Sequence, residues 1–347
     1  MKKVIFTAAL LCVTLFVPLS LYSQSQDFVM RETVLVGYNG SAEDVIIPEG
    51  VTAIESGAFF ERRNLTSITI PSSVISIGES AFFNCRSLTS VTIPDSVTSI
   101  GNKAFVSCIS LTNITIPASV AHIGNFAFDG CSSLTNIIVD TRNNEYSSIE
   151  GILFNKDRSI LIKYPEGKQE RSYNIPSSVA AVKYCAFWRC ASLANITVDS
   201  QNTAYSSVDG ILFNKDKTVL ISYPAGKQEH TYTIPAGVIS IDAGAFVYCL
   251  NLTSVTIPSS VTYIGESAFS ECSGLTSITI PTSVTNIEQE AFSECTGLTS
   301  VTIPSSVVSV GAYAFEFCDN LRTVTVSRKA TIGRDAFPAT AQITYSD

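Results

Sequence analysis

LTSVTIPDSVTSIGNKAFVSC, residues 88–108, is the stretch whose reading decides the fold. Leu88, Val91 and Ile93 are apolar at spacings of three and then two. That pattern fits a short strand whose apolar side chains all point into one coil of chain. Val97, Ile100, Ala104, Phe105 and Cys108 supply the rest of the coil interior. Pro94 ends the strand, because proline has no N–H to give to a ladder. Gly101 eases the following turn without being obligatory: Glu55, Lys183, Asp242 and Glu288 hold its place elsewhere.

Outward from this stretch the pattern recurs. Pro48, Pro71, Pro94 and Pro117 are 23 residues apart, and Pro235, Pro258, Pro281 and Pro304 keep the same step. Two steps of 59 residues, through Pro176, join the blocks. Since 59 is 23 plus 36, two coils read as carrying 36-residue insertions, at residues 140–175 and 199–234. A degenerate last coil begins near Ser327 and keeps Ile332, Gly333, Ala336 and Phe337. One coil cannot bury its apolar side alone, so stacked coils are required. The expectation is an α/β-type solenoid of mostly short parallel strands, a right-handed coil of about ten repeats with two hairpin insertions. At ~4.8 Å per strand it is on the order of 50 Å long. Residues 33–47 read as an N-terminal hairpin cap turning at residues 38–41, and residues 324–347 read as a C-terminal cap.

The units resemble the BspA-type leucine-rich repeats of bacterial and protist surface proteins, with their I-P-x-x-V-x-x-I-G-x-x-A-F-x-x-C-x-x-L signature. The resemblance covers residues 34–337. It implies a leucine-rich-repeat solenoid and an adhesin-like role at the cell surface, with a protein or glycan ligand such as a host matrix protein.

Composition narrows the function classes. Hydrophobic residues make up 46% and charged residues 15%, which fits a folded chain rather than a disordered one. The net charge is −8, and −10 once Lys2 and Lys3 are removed. An acidic body without a basic run excludes nucleic acid and anionic membrane surfaces as natural partners. Residues 1–25 read as a signal peptide: Lys2 and Lys3, an apolar run over 4–17, Pro18, then Ser20, Ser23 and Ser25. Cys12 lies inside the apolar run, a poor place for a lipid acceptor. No second stretch is long enough for a transmembrane segment. The expected location is outside the cytoplasm: cell surface, secreted or periplasmic. Oligomeric state is not legible.

Candidate chemistry is sparse. Cys85, Cys108, Cys131, Cys190, Cys249, Cys272, Cys295 and Cys318 share one place in the repeat, and only Cys185 is out of phase. One thiol per coil reads as a buried ladder of small hydrophobes, against the alternatives of disulfides or a metal site. Paired metal-ligand spacing is absent. His122 and His230 are the only histidines, and no G-x-S-x-G elbow occurs, so no catalytic residue, cofactor or metal is expected. Asp140, Asn143 and Glu150 lack the alternation of a calcium loop.

Recognition is the expected activity, on three surfaces. Rows of Thr (Thr69, Thr92, Thr115 and onward) and of Ser or Asn alternate with the inward strand residues and read either as a concave binding face or as plain strand chemistry. A row after the buried Phe, with Phe60, Phe83, Val106, Trp188 and Val247, reads as outward and apolar, either a contact stripe or packing against a neighbouring turn. The insertions are identical at 24 of 38 positions (residues 139–176 against 198–235), and the first holds six acidic and six basic residues. Tyr164, Tyr173, Trp188, Tyr223 and Tyr232 are therefore the candidate ligand-contacting residues, on hairpins expected to be removable without unfolding the solenoid. The competing reading is a scaffolding component of the cell envelope without a soluble ligand.

Overall fold

The chain turns wherever its sequence forbids strand or helix to continue. The computed structural model describes residues 26–346, so the leader read over residues 1–25 lies outside the described residues. Strand Ser90–Thr92 gives way to Pro94, and the Val97 N–H donates to the Pro94 carbonyl at 3.0 Å to close a turn. A second two-residue strand, Ser99–Ile100, follows. Lys103 and Ser107 then take φ of 55° and 59°. Left-handed residues break an α-helix, and the same two places are left-handed at Ser80 and Asn84 and again at Glu290 and Glu294. Among the described residues there is no helix. The α/β-type expectation is corrected to a solenoid of short strands and tight turns.

Stacking converts these pieces into columns. Asp44–Ile46, Ser67–Thr69 and Ser90–Thr92 pair in parallel, with Val45 opposite Ile68 and Ile68 opposite Val91. A second column runs through Ala53–Ile54, Ser76–Ile77, Ser99–Ile100 and His122–Ile123. A third column, without strands, joins buried Phe N–H groups to the alanine carbonyl one coil on: Phe59 to Ala81, Phe82 to Ala104, Phe105 to Ala127, at 2.8–2.9 Å. The rings stack inside. Phe59–Phe82 and Phe82–Phe105 have centroids 5.2 Å apart, and Phe246–Phe269 4.7 Å, within the favourable range for aromatic pairs.

The cysteines complete the interior. Cys85, Cys108, Cys131, Cys272, Cys295 and Cys318 each donate to the carbonyl of the Phe one coil earlier, at 2.9–3.2 Å. All nine cysteines of the described residues are free and buried. Burial pushes the Cys85 thiol up to about 12, so it keeps its proton and acts as a small apolar group with one weak donor.

The long steps are built differently from the sequence reading. Asp140 and Asp199 stand where other coils have Pro: the Asn143 and Asn202 N–H groups donate to their carbonyls at 2.9 Å, as Val120 does to Pro117. Asn143 replaces a core valine, and its Nδ2 donates to the Pro117 and Val120 carbonyls at 2.8 and 2.9 Å. Asn202 repeats both bonds. Each 59-residue step is therefore a 23-residue coil followed by a 36-residue one, and the added material is thirteen residues (36 − 23) rather than a whole insertion. In the first long coil Tyr146–Ile149, Ile152–Asn155 and Ile160–Lys163 form an antiparallel meander. Its last strand enters the second column parallel to Ala181–Val182. Tyr205–Val208, Ile211–Asn214 and Val219–Ser222 repeat the arrangement against Ser240–Ile241.

These meanders belong to the core, because their strands carry it. Leu153, Phe154, Leu161 and Tyr164 are buried, as are Leu212, Phe213, Leu220 and Tyr223. The expectation of removable surface hairpins fails for that reason. The N-terminal cap is a related device. Phe28–Arg31 and Val34–Tyr38 pair antiparallel around Glu32, whose φ is 55°. The hairpin is therefore residues 28–38, not 33–47, and residues 39–41 lead the chain away to the first column. Leu35, Leu161 and Leu220 accept N–H bonds from Glu55, Lys183 and Asp242 at 2.8–2.9 Å, and Tyr38, Tyr164 and Tyr223 donate to the next alanine carbonyl at 2.7–2.9 Å. The buried core correspondingly falls into three clusters, each opened by one hairpin.

Candidate functional site

Where the modules interrupt the columns, the left-handed turns of distant coils line one cleft of about 370 Å³. Phe83, Lys103, Val106 and Ser107 contribute from coils before the first module, and Glu266, Glu271, Gln289 and Glu290 from coils after the second. Phe126, Asp129, Glu166, Tyr184, Trp188 and Arg189 lie between them. None of the lining residues comes from the Thr or Ser rows, so the face expected to be concave is not the one that encloses this space. Lys103, Ser107, Phe126, Arg189, Glu271 and Glu290 all have positive φ, between 54° and 62°. In that conformation the side chains project from tight turns, and the regular stacking of the coils holds the conformation in place.

Three aromatic rings form the floor. Tyr184 and Trp188 meet edge to face at 5.1 Å, and Phe126 packs on them at 5.7 and 6.2 Å. Trp188 is half-buried, Tyr184 is 38% exposed, and the Trp188 Nε1 has no hydrogen-bond partner among the described residues. Across the cleft, the Arg189 guanidinium donates twice to Glu271 Oε1, at 3.0 and 2.6 Å, over 82 residues of sequence. Burial pushes the Glu271 carboxyl up against the pull of Arg189. Burial works against the Arg189 charge, but Glu271 outweighs it and holds the guanidinium charged.

Beneath the floor lies a buried ion cluster. Lys163, 5% exposed, places its Nζ 2.7 Å from Asp129 Oδ1 and 3.1 Å from Glu166 Oε1. Glu166 Oε1 also accepts the Gly130 N–H at 2.8 Å. Asp129 Oδ2 and Glu166 Oε2 are buried without a partner among the described residues. Burial disfavours the Lys163 charge, but the two carboxylates outweigh it and hold the amine protonated. One ammonium cannot neutralise two carboxylates. Burial pushes the Glu166 carboxyl up despite Lys163. No group of three or more His, Cys, Asp or Glu side chains among the described residues could hold a metal ion.

A model of the BspA type leucine rich repeat region matches residues 37–161, 166–224 and 225–344, in six copies. This chain belongs to the BspA-type leucine-rich repeat family. Its fold is similar to that of a leucine rich cell surface protein from Faecalibacterium prausnitzii, at 26% identity and a TM-score of 0.55, over 92% of this chain and 93% of that one. A leucine-rich repeat protein from Eubacterium ventriosum shares 26% identity, with a TM-score of 0.49, over 87% of this chain and 77% of that one. The pneumococcal vaccine antigen PcpA shares 22%, with a TM-score of 0.47, over 90% and 86%. No curated protein matches. The family's repeats suit protein binding, and no helix of the described residues is long and apolar enough to cross a membrane.

Of the five candidate residues, only Trp188 reaches the cleft. Tyr164 and Tyr223 are 1% and 3% exposed and continue the Phe ladder, with rings 5.8 Å from Phe187 and 5.3 Å from Phe246. A covered ring offers a ligand nothing. Tyr173 and Tyr232 sit opposite Ile196 and Val255 in the first column. They pack half-buried on Tyr164 and Tyr223 at 5.4 and 5.1 Å. Both pairs read as surface tyrosines because their coils seemed inserted rather than stacked. The row after the buried Phe does reach the cleft, through Phe83, Val106 and Trp188. Sequence reasoning missed Phe126, Tyr184, Arg189 and Glu271. A signal existed: Tyr184 interrupts the polar column Glu79, Asn102, Asn125, Glu266, Gln289.

Proposed function

We propose that this chain is an exported, adhesin-like binding protein that takes a protein or glycan ligand in the cleft of left-handed turns. The observation that carries the reading is the floor of Phe126, Tyr184 and Trp188, partly open within a space lined from coils far apart in sequence. Aromatic rings with a half-buried arginine are the usual material of binding hot spots. Asp129, Glu166, Glu266, Glu271 and Glu290 outnumber Lys103 and Arg189 along the walls. A protein segment that presents Lys or Arg beside an apolar side chain fits this lining better than an acidic one. The leader read in residues 1–25 and the family's cell-surface members support a place outside the cytoplasm.

The test is binding of the purified chain to immobilised host matrix proteins and glycans, followed by Trp188→Ala. The expected outcome is affinity at least tenfold weaker, about 1.4 kcal/mol, with an unchanged circular dichroism spectrum. Full affinity in folded Trp188→Ala, with loss on placing Lys at Thr92 and Thr115, would move the site to the Thr rows. Failure to bind any member of the panel would favour the envelope-scaffold reading, as would a protein untouched by protease applied to intact cells.

A further inference from the structure

The buried cluster below the cleft has the parts of a bond-forming site rather than of an ordinary ion pair. We propose that Lys163 and Asp129 join through an intramolecular isopeptide bond, with Glu166 carrying the protons. Four observations support this. The amine and the Asp129 carboxylate are already 2.7 Å apart. They lie 34 residues apart in sequence, Asp129 next to Phe128 of one core cluster and Lys163 next to Tyr164 of the following one. The reacting groups sit away from bulk water: the Lys163 side chain is 6% exposed, that of Glu166 1% and that of Asp129 15%. Within this cluster Glu166 Oε2 and Asp129 Oδ2 are buried without partners among the described residues, so each has a lone pair free to take or pass a proton.

Held this close and this dry, an amine and a carboxyl react as one molecule rather than two. Asp129, not Glu166, is the electrophile. Glu166 is the more distant acid, and its Oε1 is already engaged by the Gly130 N–H at 2.8 Å. The step balances without any co-reactant. A proton passes from the Lys163 ammonium, by way of Glu166, to the Asp129 carboxylate. The neutral Nζ attacks Cγ of Asp129 and the Nζ–Cγ bond forms. A second proton leaves nitrogen through Glu166 for the Asp129 hydroxyl oxygen, the C–O bond breaks and water departs. Ammonium and carboxylate become one amide plus water, and Glu166 ends as it began. Asp129 and Glu166 both border the cleft, which gives the water an exit. The product removes two buried charges and ties the first module covalently to the coil before it. A protein pulled on by a surface-bound ligand would gain most from a tie at that boundary.

The second module provides an internal control. Ser222, Trp188 and Ala225 stand where the first has Lys163, Asp129 and Glu166, and no such bond can form there. The experiment is intact-mass measurement of the purified folded chain, then tandem mass spectrometry of its peptides. The expected result is a chain lighter by one water, with a branched peptide linking the segments around Asp129 and Lys163. Glu166→Gln should fold, by circular dichroism, and keep its full mass. Lys163→Arg should do the same. A folded wild-type chain at full mass overturns the proposal. So does a water loss that persists in Lys163→Arg, or one that maps to a cyclised aspartate without a branch. A branch that forms as fast in Glu166→Gln overturns the role given to Glu166.

Discussion

The two long coils share a backbone and differ in what fills it. Both meanders keep one register, with Tyr146 opposite Asn155 in the first and Tyr205 opposite Asn214 in the second. Both use a tyrosine hydroxyl to cover the last N–H of the preceding column, Tyr146 at Ile123 and Tyr205 at Val182, at 2.9 and 2.8 Å. Lys156 and Lys215 both reach back to a backbone carbonyl of the buried asparagine, at Asn143 and Asn202. The corner behind Tyr164 holds Lys163, Asp129 and Glu166. The corner behind Tyr223 holds Trp188 with Ser222, and Gly244 beside it. A Cβ on Gly244 would lie 1.9 Å from Trp188 Nε1, and its φ is 64°, so the indole occupies room that only glycine leaves. The matching place in the first module is Cys185, φ 66°. The backbone is thus set by the residues the modules share, and the corner accepts either a neutralised charge cluster or a large ring. One choice is tuned by charge and the other by volume.

The sharpest way to break this comparison is to remove the ion from one corner and its counterpart from the other. Lys163→Ala leaves the Asp129 and Glu166 carboxyls buried without the Lys163 amine and should cost about 3–5 kcal/mol. Ser222→Ala should stay within about 0.5 kcal/mol. Urea unfolding midpoints at constant slope measure both, and equal effects would mean that the corners are not filled independently.

A smaller effect should be common to the modules. The Tyr164 and Tyr223 hydroxyls are buried without a hydrogen-bond partner among the described residues, in a ladder made mostly of Phe. An unsatisfied buried hydroxyl is costly, so Tyr164→Phe and Tyr223→Phe should each raise stability by about 1 kcal/mol. Thermal unfolding of both variants checks this. A loss in either would mean that its hydroxyl finds a partner, such as a buried water.

The smallest effect is in the pH profile. Glu166 and Glu271 hold their protons more tightly when folded than when unfolded. Their contribution is fully present below the unfolded carboxyl range and is lost as pH rises through the raised folded values. Asp140 runs the other way: hydrogen bonds from Arg142 lower it to about 2, so its contribution is present above the unfolded value and lost as pH falls towards 2. Melting temperature followed upward from pH 4 should decline less in Glu166→Gln than in the wild type. Ser222→Ala, in the module without a carboxyl at this place, should follow the wild-type profile. A Glu166→Gln profile parallel to the wild type would show that the buried acid binds its proton no more tightly than an ordinary one.

What the sequence alone determined is the repeating part. The 23-residue step, the inward residues Leu88, Val91, Ile93, Val97, Ile100 and Phe105, and the buried cysteine row were all legible. Stacking is a nearest-neighbour rule, and each coil carries its own copy of the instructions. What only the tertiary structure decided lies where copies depart from the rule. Asp140 for Pro, Asn143 for Val and Tyr164 for Phe hide a coil inside an apparent insertion, because polar residues enter the core only once their partners, the Pro117 and Val120 carbonyls, are in place. The left-handed turns, the cleft they line and the meeting of Arg189 with Glu271 depend on how successive coils are oriented in space. No single coil encodes that orientation. It accumulates from the packing of one coil on the next, through two corners filled in different ways.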